Sequence, residues 1–152
     1  MANKLTLFIA SDHAGLNLKV HLIQKFSDFD WQDLGPATAD RVDYPDFADK
    51  VAKKVQQGQG LGVLICGSGQ GMAMRANKFS GVRAALCWNE EAAQLARSHN
   101  DANILCLGER LMSKDACESI LKVFLGTEFE GGRHQGRVEK INNPLPPQGE
   151  KK

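Results

Sequence analysis

The sequence has no long hydrophobic run and no block of charge of one sign. Its first apolar run covers only residues 5–10, which is too short for a signal-peptide core or a membrane span. The 19 basic and 18 acidic residues are interspersed, and the formal net charge is only +1. These absences argue against a membrane surface or a nucleic acid as a partner.

Paired disulfide or metal motifs are also missing. The cysteines are scattered and form no C-x-x-C pair: Cys66, Cys87, Cys106 and Cys117. Most of them lie in or at the ends of apolar runs, which is typical of reduced thiols in a cytosolic protein. The histidines lack the two-histidine helical spacing of metal ligands: His13, His21, His99 and His134. We therefore expect a cytoplasmic protein with no metal site.

What the sequence does have is a regular alternation of strand and helix patterns. Short apolar runs predict strands at residues 5–10, 61–66, 83–87 and 104–107, and a weaker pattern ended by Gly35-Pro36 predicts another at 31–34. Helical patterns separate them, and Ser113 is the expected N-cap of the last long helix. The alternation predicts an α/β fold: a three-layer α/β/α sandwich with a five-stranded parallel sheet, Rossmann-like in its right-handed crossovers. With 152 residues, 42% of them hydrophobic, we expect one domain over 1–143 and a disordered tail over 144–152.

In such a fold, binding groups gather where the strands end. Asp12 and His13 follow the first strand, and Cys66 ends the third, just before the glycine-rich loop 67–71. Glu109 and Arg110 follow the fifth strand. His99 and Asn100 instead follow the fourth helix, so this rule does not place them.

Cys66 allows two interpretations. A cysteine that ends a buried strand is often a small core residue. Here it also precedes a glycine loop and a helix N-terminus, whose dipoles stabilise a thiolate that could act as nucleophile or general base. The loop N–H groups could then hold an oxyanion. The loop is not a dinucleotide fingerprint, because Gly71 comes one residue too early for G-x-G-x-x-G.

Two arginines in the C-terminal part form a candidate anion site. Arg133 and Arg137 are four residues apart, so they share one face of a helix and could converge on a phosphate. The alternative is a solvated basic face. His99 alone could likewise be a histidine that is favoured at a helix C-terminus by the helix dipole.

Six motifs occur in order along nearly the whole chain: ASDHAG (10–15), DYPDFA (43–48), ICGSGQG (65–71), ANKF (76–79), RSHNDANIL (97–105) and EGGRHQGRV (130–138). With them the chain resembles the family of type B ribose-5-phosphate isomerases and galactose-6-phosphate isomerase subunits. The resemblance implies interconversion of ribose 5-phosphate and ribulose 5-phosphate, a reaction of the pentose phosphate pathway. It implies proton transfer through an enediolate, with no metal and no other cofactor.

The same resemblance implies roles for individual residues. Cys66 would be the base that moves a proton between C1 and C2, and His99 would open the sugar ring with Asp12 nearby. The loop would hold the enediolate oxygens through Gly67, Ser68, Gly69, Gln70 and Gly71. Asn100 would bind a sugar hydroxyl or carbonyl. The phosphate end would be bound by His13, Arg110, Arg133 and Arg137, with His134 as a further candidate.

Some members of the family carry a glutamate base just after the loop, where this chain has Met72. The chain therefore resembles the members that use a cysteine. The resemblance also implies a homodimer or homotetramer with shared active sites. Two alternatives remain open at this point: an isomerase of a six-carbon sugar phosphate (allose 6-phosphate or galactose 6-phosphate), and a sugar-phosphate binding module without chemistry.

Overall fold

A computed structural model describes residues 4–143 and Leu145. In this part of the chain five parallel strands form one sheet: β1 (Thr6–Ser11), β2 (Asp30–Asp33), β3 (Leu61–Cys66), β4 (Ala84–Leu86) and β5 (Ile104–Gly108). The strand order is β2-β1-β3-β5-β4. The expected disordered tail falls outside the described residues, apart from Leu145.

Helices connect the strands as the alternation predicts. They are α1 (Leu16–Lys25), α2 (Tyr44–Gln56), α3 (Gln70–Ala76), α4 (Glu90–Ser98), α5 (Lys114–Gly126) and α6 (Gln135–Asn142). Two short 3₁₀ turns, His13–Gly15 and Gly132–His134, precede α1 and α6. Ser113 caps α5 as expected, since its hydroxyl accepts from the Ala116 N–H at 3.1 Å.

The core lies on both faces of the sheet, which confirms the three-layer sandwich. Successive residues of a strand point to opposite faces. In β3, Val63 and Ile65 therefore pack with α1, α4 and α5, whereas Leu64 and Cys66 pack with α2 and α3. Because β1, β3 and β5 are covered on both sides, they read in the sequence as continuous apolar runs, whereas the edge strand β2 is mostly exposed. None of the described helices is both long and apolar enough to cross a membrane.

Close approach of two glycines to neighbouring backbone brings the strand-end loops together. A Cβ on Gly15 would lie 2.6 Å from the Ile65 carbonyl oxygen, and one on Gly108 would lie 2.6 Å from the Ser68 backbone. Neither position has room for a larger residue. The ends of β1, β3 and β5 can therefore form one continuous edge.

Candidate active site

The loop after β1 is held by the Asp12 carboxylate. Its Oδ1 accepts from the N–H groups of Ala14 at 2.9 Å and Gly15 at 3.1 Å. The Asp12 N–H donates to the Ile65 carbonyl at 3.1 Å, which ties this loop to β3. Asp12 is 7% exposed, so it is a fixed acidic group at the carboxyl edge of the sheet.

The thiol of Cys66 lies where β3 meets the glycine loop. Its Sγ accepts from the Gly69 N–H at 3.1 Å, and the residue is 5% exposed. Gly69 has φ +77°, and a Cβ there would lie 2.9 Å from the Leu107 backbone, so glycine is required. This turn lets α3 begin at Gln70. The Gly69 N–H is placed to stabilise negative charge on the sulfur.

Arg110 covers the start of the same loop. Its Cδ and Nη1 atoms both lie 3.4 Å from the position that a Cβ on Gly67 would take. Its backbone N–H donates to the Gly67 carbonyl at 3.0 Å. The preceding residue, Glu109, accepts from the Leu18 N–H in the first turn of α1. The end of β5 thus presents a cation to the glycine loop and anchors α1.

A cleft of about 580 Å³ opens at this edge. Asp12, His13 and Arg110 line it, together with residues of the segment 41–46, among them Arg41 and Tyr44, to which the strand-end rule gave no role. His13 Nδ1 accepts from the Val42 N–H at 3.3 Å, which fixes the orientation of the ring. Arg41 and Tyr44 both follow β2, which ends at the same edge of the sheet. Their position after a strand is the sequence feature that could have identified them.

Tyr44 also contacts the glycine loop directly. A Cβ on Gly71 would lie 2.5 Å from the tyrosine ring and 2.7 Å from its hydroxyl oxygen. The third glycine of the loop therefore makes room for this ring. Tyr44 adds a phenol, which can donate or accept a hydrogen bond, to the wall of the cleft.

His99 and Asn100 lie at the opposite edge of the sheet. His99 is the C-cap of α4, which runs back from the end of β4 toward the start of β5. The segment that follows pairs with strand beginnings: Asn103 N–H donates to the carbonyl of Arg83, just before β4, at 2.9 Å. Cys66 ends the six-residue strand β3. At about 3.3 Å per residue, the two edges are about 17 Å apart.

The C-terminal segment packs on this second edge. The rings of His99 and His134 are stacked, with centroids 4.2 Å apart and planes inclined by 16°. The Glu130 N–H donates to the Ser98 carbonyl at 3.0 Å, which brings its carboxylate to both rings. Burial, with the neighbouring His99 and Arg133, lowers the pKa of His134. Its ring therefore favours the neutral form.

The structure thus divides the predicted site residues into two groups. At the carboxyl edge lie Asp12, His13, Cys66, Gly67, Ser68, Gly69, Gln70, Gly71 and Arg110. At the amino edge lie His99, Asn100, Arg133 and Arg137. The two arginines are exposed, with Arg133 on the 3₁₀ turn and Arg137 on α6. Within one chain the two groups do not meet.

Within the described residues, one group of side chains of metal-ligand type lies close together, but its two stacked histidine rings do not direct their nitrogens at a common point. One ligand atom from each of His99, Glu130 and His134 lies within 4.8 Å of the others. Spacing along the chain did not reveal it, because His99 comes from a different segment than the other two.

A parallel sheet that gathers a thiol, a glycine loop and basic groups at its carboxyl edge defines an enzyme that acts on a small anionic molecule. The model of the Ribose/Galactose Isomerase family matches residues 7–141. The chain belongs to this family and is an isomerase, which confirms the resemblance seen in its motifs.

Relatives and solved structures agree with this assignment. The probable ribose-5-phosphate isomerase B of Mycoplasma genitalium is 49% identical over 89% of this chain and 92% of its own length. The crystal structure of a ribose 5-phosphate isomerase from Thermotoga maritima superposes with a TM-score of 0.89 at 41% identity, covering 92% of this chain and 99% of that one. A structure of the M. genitalium enzyme with bound ribulose-5-phosphate has a TM-score of 0.86 at 48% identity, covering 90% and 93%.

Proposed function

We propose that this chain interconverts ribose 5-phosphate and ribulose 5-phosphate, with Cys66 as the catalytic base. The observation that carries the proposal is the Cys66 Sγ, held 3.1 Å from the Gly69 N–H at the edge where Asp12, His13 and Arg110 line a cleft. The ribulose-5-phosphate bound to the M. genitalium relative supports the choice of substrate. The four cysteines are free thiols, which supports a cytoplasmic location.

The chemistry follows from the acidity of the substrate. In the open-chain aldose, the proton on C2 lies next to the C1 carbonyl and is only weakly acidic. The Cys66 thiolate takes that proton and an enediolate forms. The thiol then returns the proton to C1, and the hydroxyl proton of O2 passes to O1 to give the ketose. The enediolate oxygens accept from the N–H groups of the loop at 67–71 and from the Ser68 hydroxyl. Each fixed donor of this kind is worth about 3–4 kcal/mol.

The phosphate end supplies binding energy away from the reacting carbons. Arg110 and His13 lie at the cleft and would bind it there. Arg133 and Arg137 would add guanidinium forks, and Asn100 would bind a sugar oxygen. This remote binding fixes C1 and C2 against the thiol.

His99 opens the furanose ring as a proton donor in this proposal, assisted by Asp12. Because His99 and its neighbours lie at the other edge of the sheet, we infer that a second copy of the chain supplies them. Each active site would then combine the carboxyl edge of one subunit with the amino edge of another, in a homodimer or homotetramer. Neither subunit alone would hold a complete site.

The test is an assay of the purified protein with five- and six-carbon sugar phosphates, with and without a chelator. The expected result is the highest kcat/KM with ribose 5-phosphate, unchanged by the chelator. A higher kcat/KM with allose 6-phosphate or galactose 6-phosphate would change the assigned substrate. Binding of the sugar phosphates without turnover would favour the binding module, and activity lost with the chelator would contradict a metal-free reaction.

A further inference from the structure

The ring of His99 is oriented by one close neighbour. Its plane is inclined by only 16° to that of the His134 ring, and the two centroids are 4.2 Å apart, which is a stacked arrangement. Glu130 Oε2 lies 3.9 Å from His99 Nε2, beyond hydrogen-bond distance. In the described part of the chain, no hydrogen bond is made to either ring nitrogen of His99. The face of the His134 ring is therefore the contact that sets the plane of the His99 ring.

His134 is held more firmly than His99. Its side chain is 7% exposed, whereas that of His99 is 35% exposed. It belongs to the 3₁₀ turn Gly132–His134, which leads directly into α6. The Glu130 N–H donates to the Ser98 carbonyl at 3.0 Å and ties this segment to the end of α4. A buried, fixed ring thus lies against a partly exposed one.

The charge state of His134 suits this contact. Burial, with the neighbouring His99 and the Arg133 and Arg137 guanidiniums, lowers the pKa of His134, and the opposing effect of Glu130 is smaller. The ring therefore favours the neutral form. A neutral aromatic face attracts a cation, so it can lie against a protonated His99 without repulsion. His134 Nε2 has no hydrogen-bond partner among the described residues, which leaves the ring face as the part of this side chain that makes a defined contact.

We propose that His134 is a positioning residue for ring opening, whose stacked ring holds His99 in the orientation that donates the proton. In this step the C1–O4 bond of the furanose breaks and O4 takes the proton from His99. The O1 proton passes to Asp12 as the C1 carbonyl forms. The plane of the His99 ring sets the direction in which its N–H points, and a misplacement of about 1 Å can cost about 100-fold in rate. The inference rests on the proposed function of His99.

A matched pair of variants separates the ring face of His134 from its nitrogens. His134→Leu fills the buried position without an aromatic face, whereas His134→Phe keeps the face and removes both nitrogens. We expect kcat/KM for ribose 5-phosphate to fall about 10- to 100-fold in His134→Leu and to stay within about threefold of the wild type in His134→Phe. Native mass spectrometry and the Tm from calorimetry check that both variants fold and assemble as the wild type does.

Affinity for an open-chain inhibitor distinguishes loss of His99 positioning from general damage to the site. 4-Phosphoerythronate carries a carboxylate in place of the two enediolate oxygens and cannot form a furanose ring, so its binding needs no ring opening. Its Kd, measured by calorimetry, should be unchanged in both variants. A weaker Kd in both would instead assign His134 to the phosphate end, as the family resemblance implies, and would contradict the proposal.

Two kinetic results would also overturn it. Wild-type kcat/KM in His134→Leu would show that the ring is dispensable, and an equal fall in His134→Phe would show that a nitrogen acts instead of the ring face. Proton NMR gives a measurement that needs no activity: the His99 ring protons should show an upfield ring-current shift in the wild type and in His134→Phe, which His134→Leu loses. A wild type that turns over no sugar phosphate would contradict the proposed function, whereas a missing ring-current shift would contradict the stack itself.

Discussion

Cys66 and His99 lie at opposite edges of the same sheet. Cys66 ends β3, and His99 caps α4 beside the start of β5. A proton donor and a base that act on one sugar must come within a few ångströms of it. The six residues of β3 alone separate the edges by about 17 Å. One chain therefore cannot bring both groups to one substrate, and association of subunits becomes part of the proposed mechanism.

Mixing two inactive variants tests the shared site. Cys66→Ala and His99→Asn chains, unfolded and refolded together in equal amounts, should recover about a quarter of wild-type activity for dimers with two-fold symmetry. Half of the dimers are then mixed, and each mixed dimer has one site with both groups intact. Each variant refolded alone is the control and should stay inactive. If the mixture also stays inactive while mixed dimers are seen by native mass spectrometry, the site lies within one chain.

Removing the thiol separates chemistry from binding. We expect Cys66→Ala to lower kcat by orders of magnitude, because the base is gone, while calorimetry finds sugar-phosphate affinity largely preserved. Cys117→Ala is the matched control, since that thiol is buried in the opposite layer of the sandwich and should leave kcat close to that of the wild type. Near-normal turnover of Cys66→Ala would exclude Cys66 as the base.

Much of the fold was accessible from the sequence. Strands covered on both faces read as continuous apolar runs, and β3 at Leu61–Cys66 matches the prediction at both ends. Only the edge strand β4 is clearly shorter than predicted, Ala84–Leu86 instead of residues 83–87. The Arg83 N–H is taken by the Asn103 side chain instead of the sheet ladder. Side chain–backbone contacts of this kind are set by tertiary structure, and no periodicity encodes them.

The site was accessible only in part. The rule that strand ends gather binding groups places Asp12, Cys66 and Arg110 at one edge, because each lies at or just after the end of a strand. It could not place His99, which follows a helix, and it overlooked Tyr44, whose contact with Gly71 depends on the packing of α2 against α3. Long-range contacts between segments carry no local pattern.

The surroundings of the four cysteines predict which thiol reacts first with an alkylating reagent. Burial raises the pKa of Cys87 to about 12 and that of Cys117 to about 11, and raises the pKa of Cys106 well above its usual range. All three thiols therefore stay protonated at pH 8 in the native protein. Iodoacetamide should modify Cys66 first, with parallel loss of activity and protection by ribose 5-phosphate, as measured by peptide mass spectrometry. Labelling of Cys87 or Cys117 as fast as Cys66 would contradict this.

Arg110 should act on the phosphate and not on the proton transfer. Hydrogen bonds to charged groups contribute about 1.5–3 kcal/mol, so Arg110→Ala should lower kcat/KM about 10- to 150-fold, mainly through KM. Arg75→Ala is the control, because Arg75 is paired with Asp49 on the surface. A fall in kcat at unchanged KM would instead assign Arg110 to the reacting carbons.

Glu109 links the active-site edge to the stability of the fold. α1 has Gly15 as its N-cap, without a side-chain hydrogen bond, and the Glu109 carboxylate takes the N–H of Leu18 from across the sheet edge. Losing a capping group costs about 1 kcal/mol. In a domain of this size, Glu109→Ala should therefore lower Tm by about 2–4 °C. Glu109→Gln should retain most of the stability, since an amide oxygen still accepts the hydrogen bond. Glu128→Ala is the control: it removes an exposed carboxylate and should change Tm little. An equal loss in Glu109→Ala and Glu128→Ala, measured by calorimetry, would show that the contact with Leu18 does not stabilise the fold.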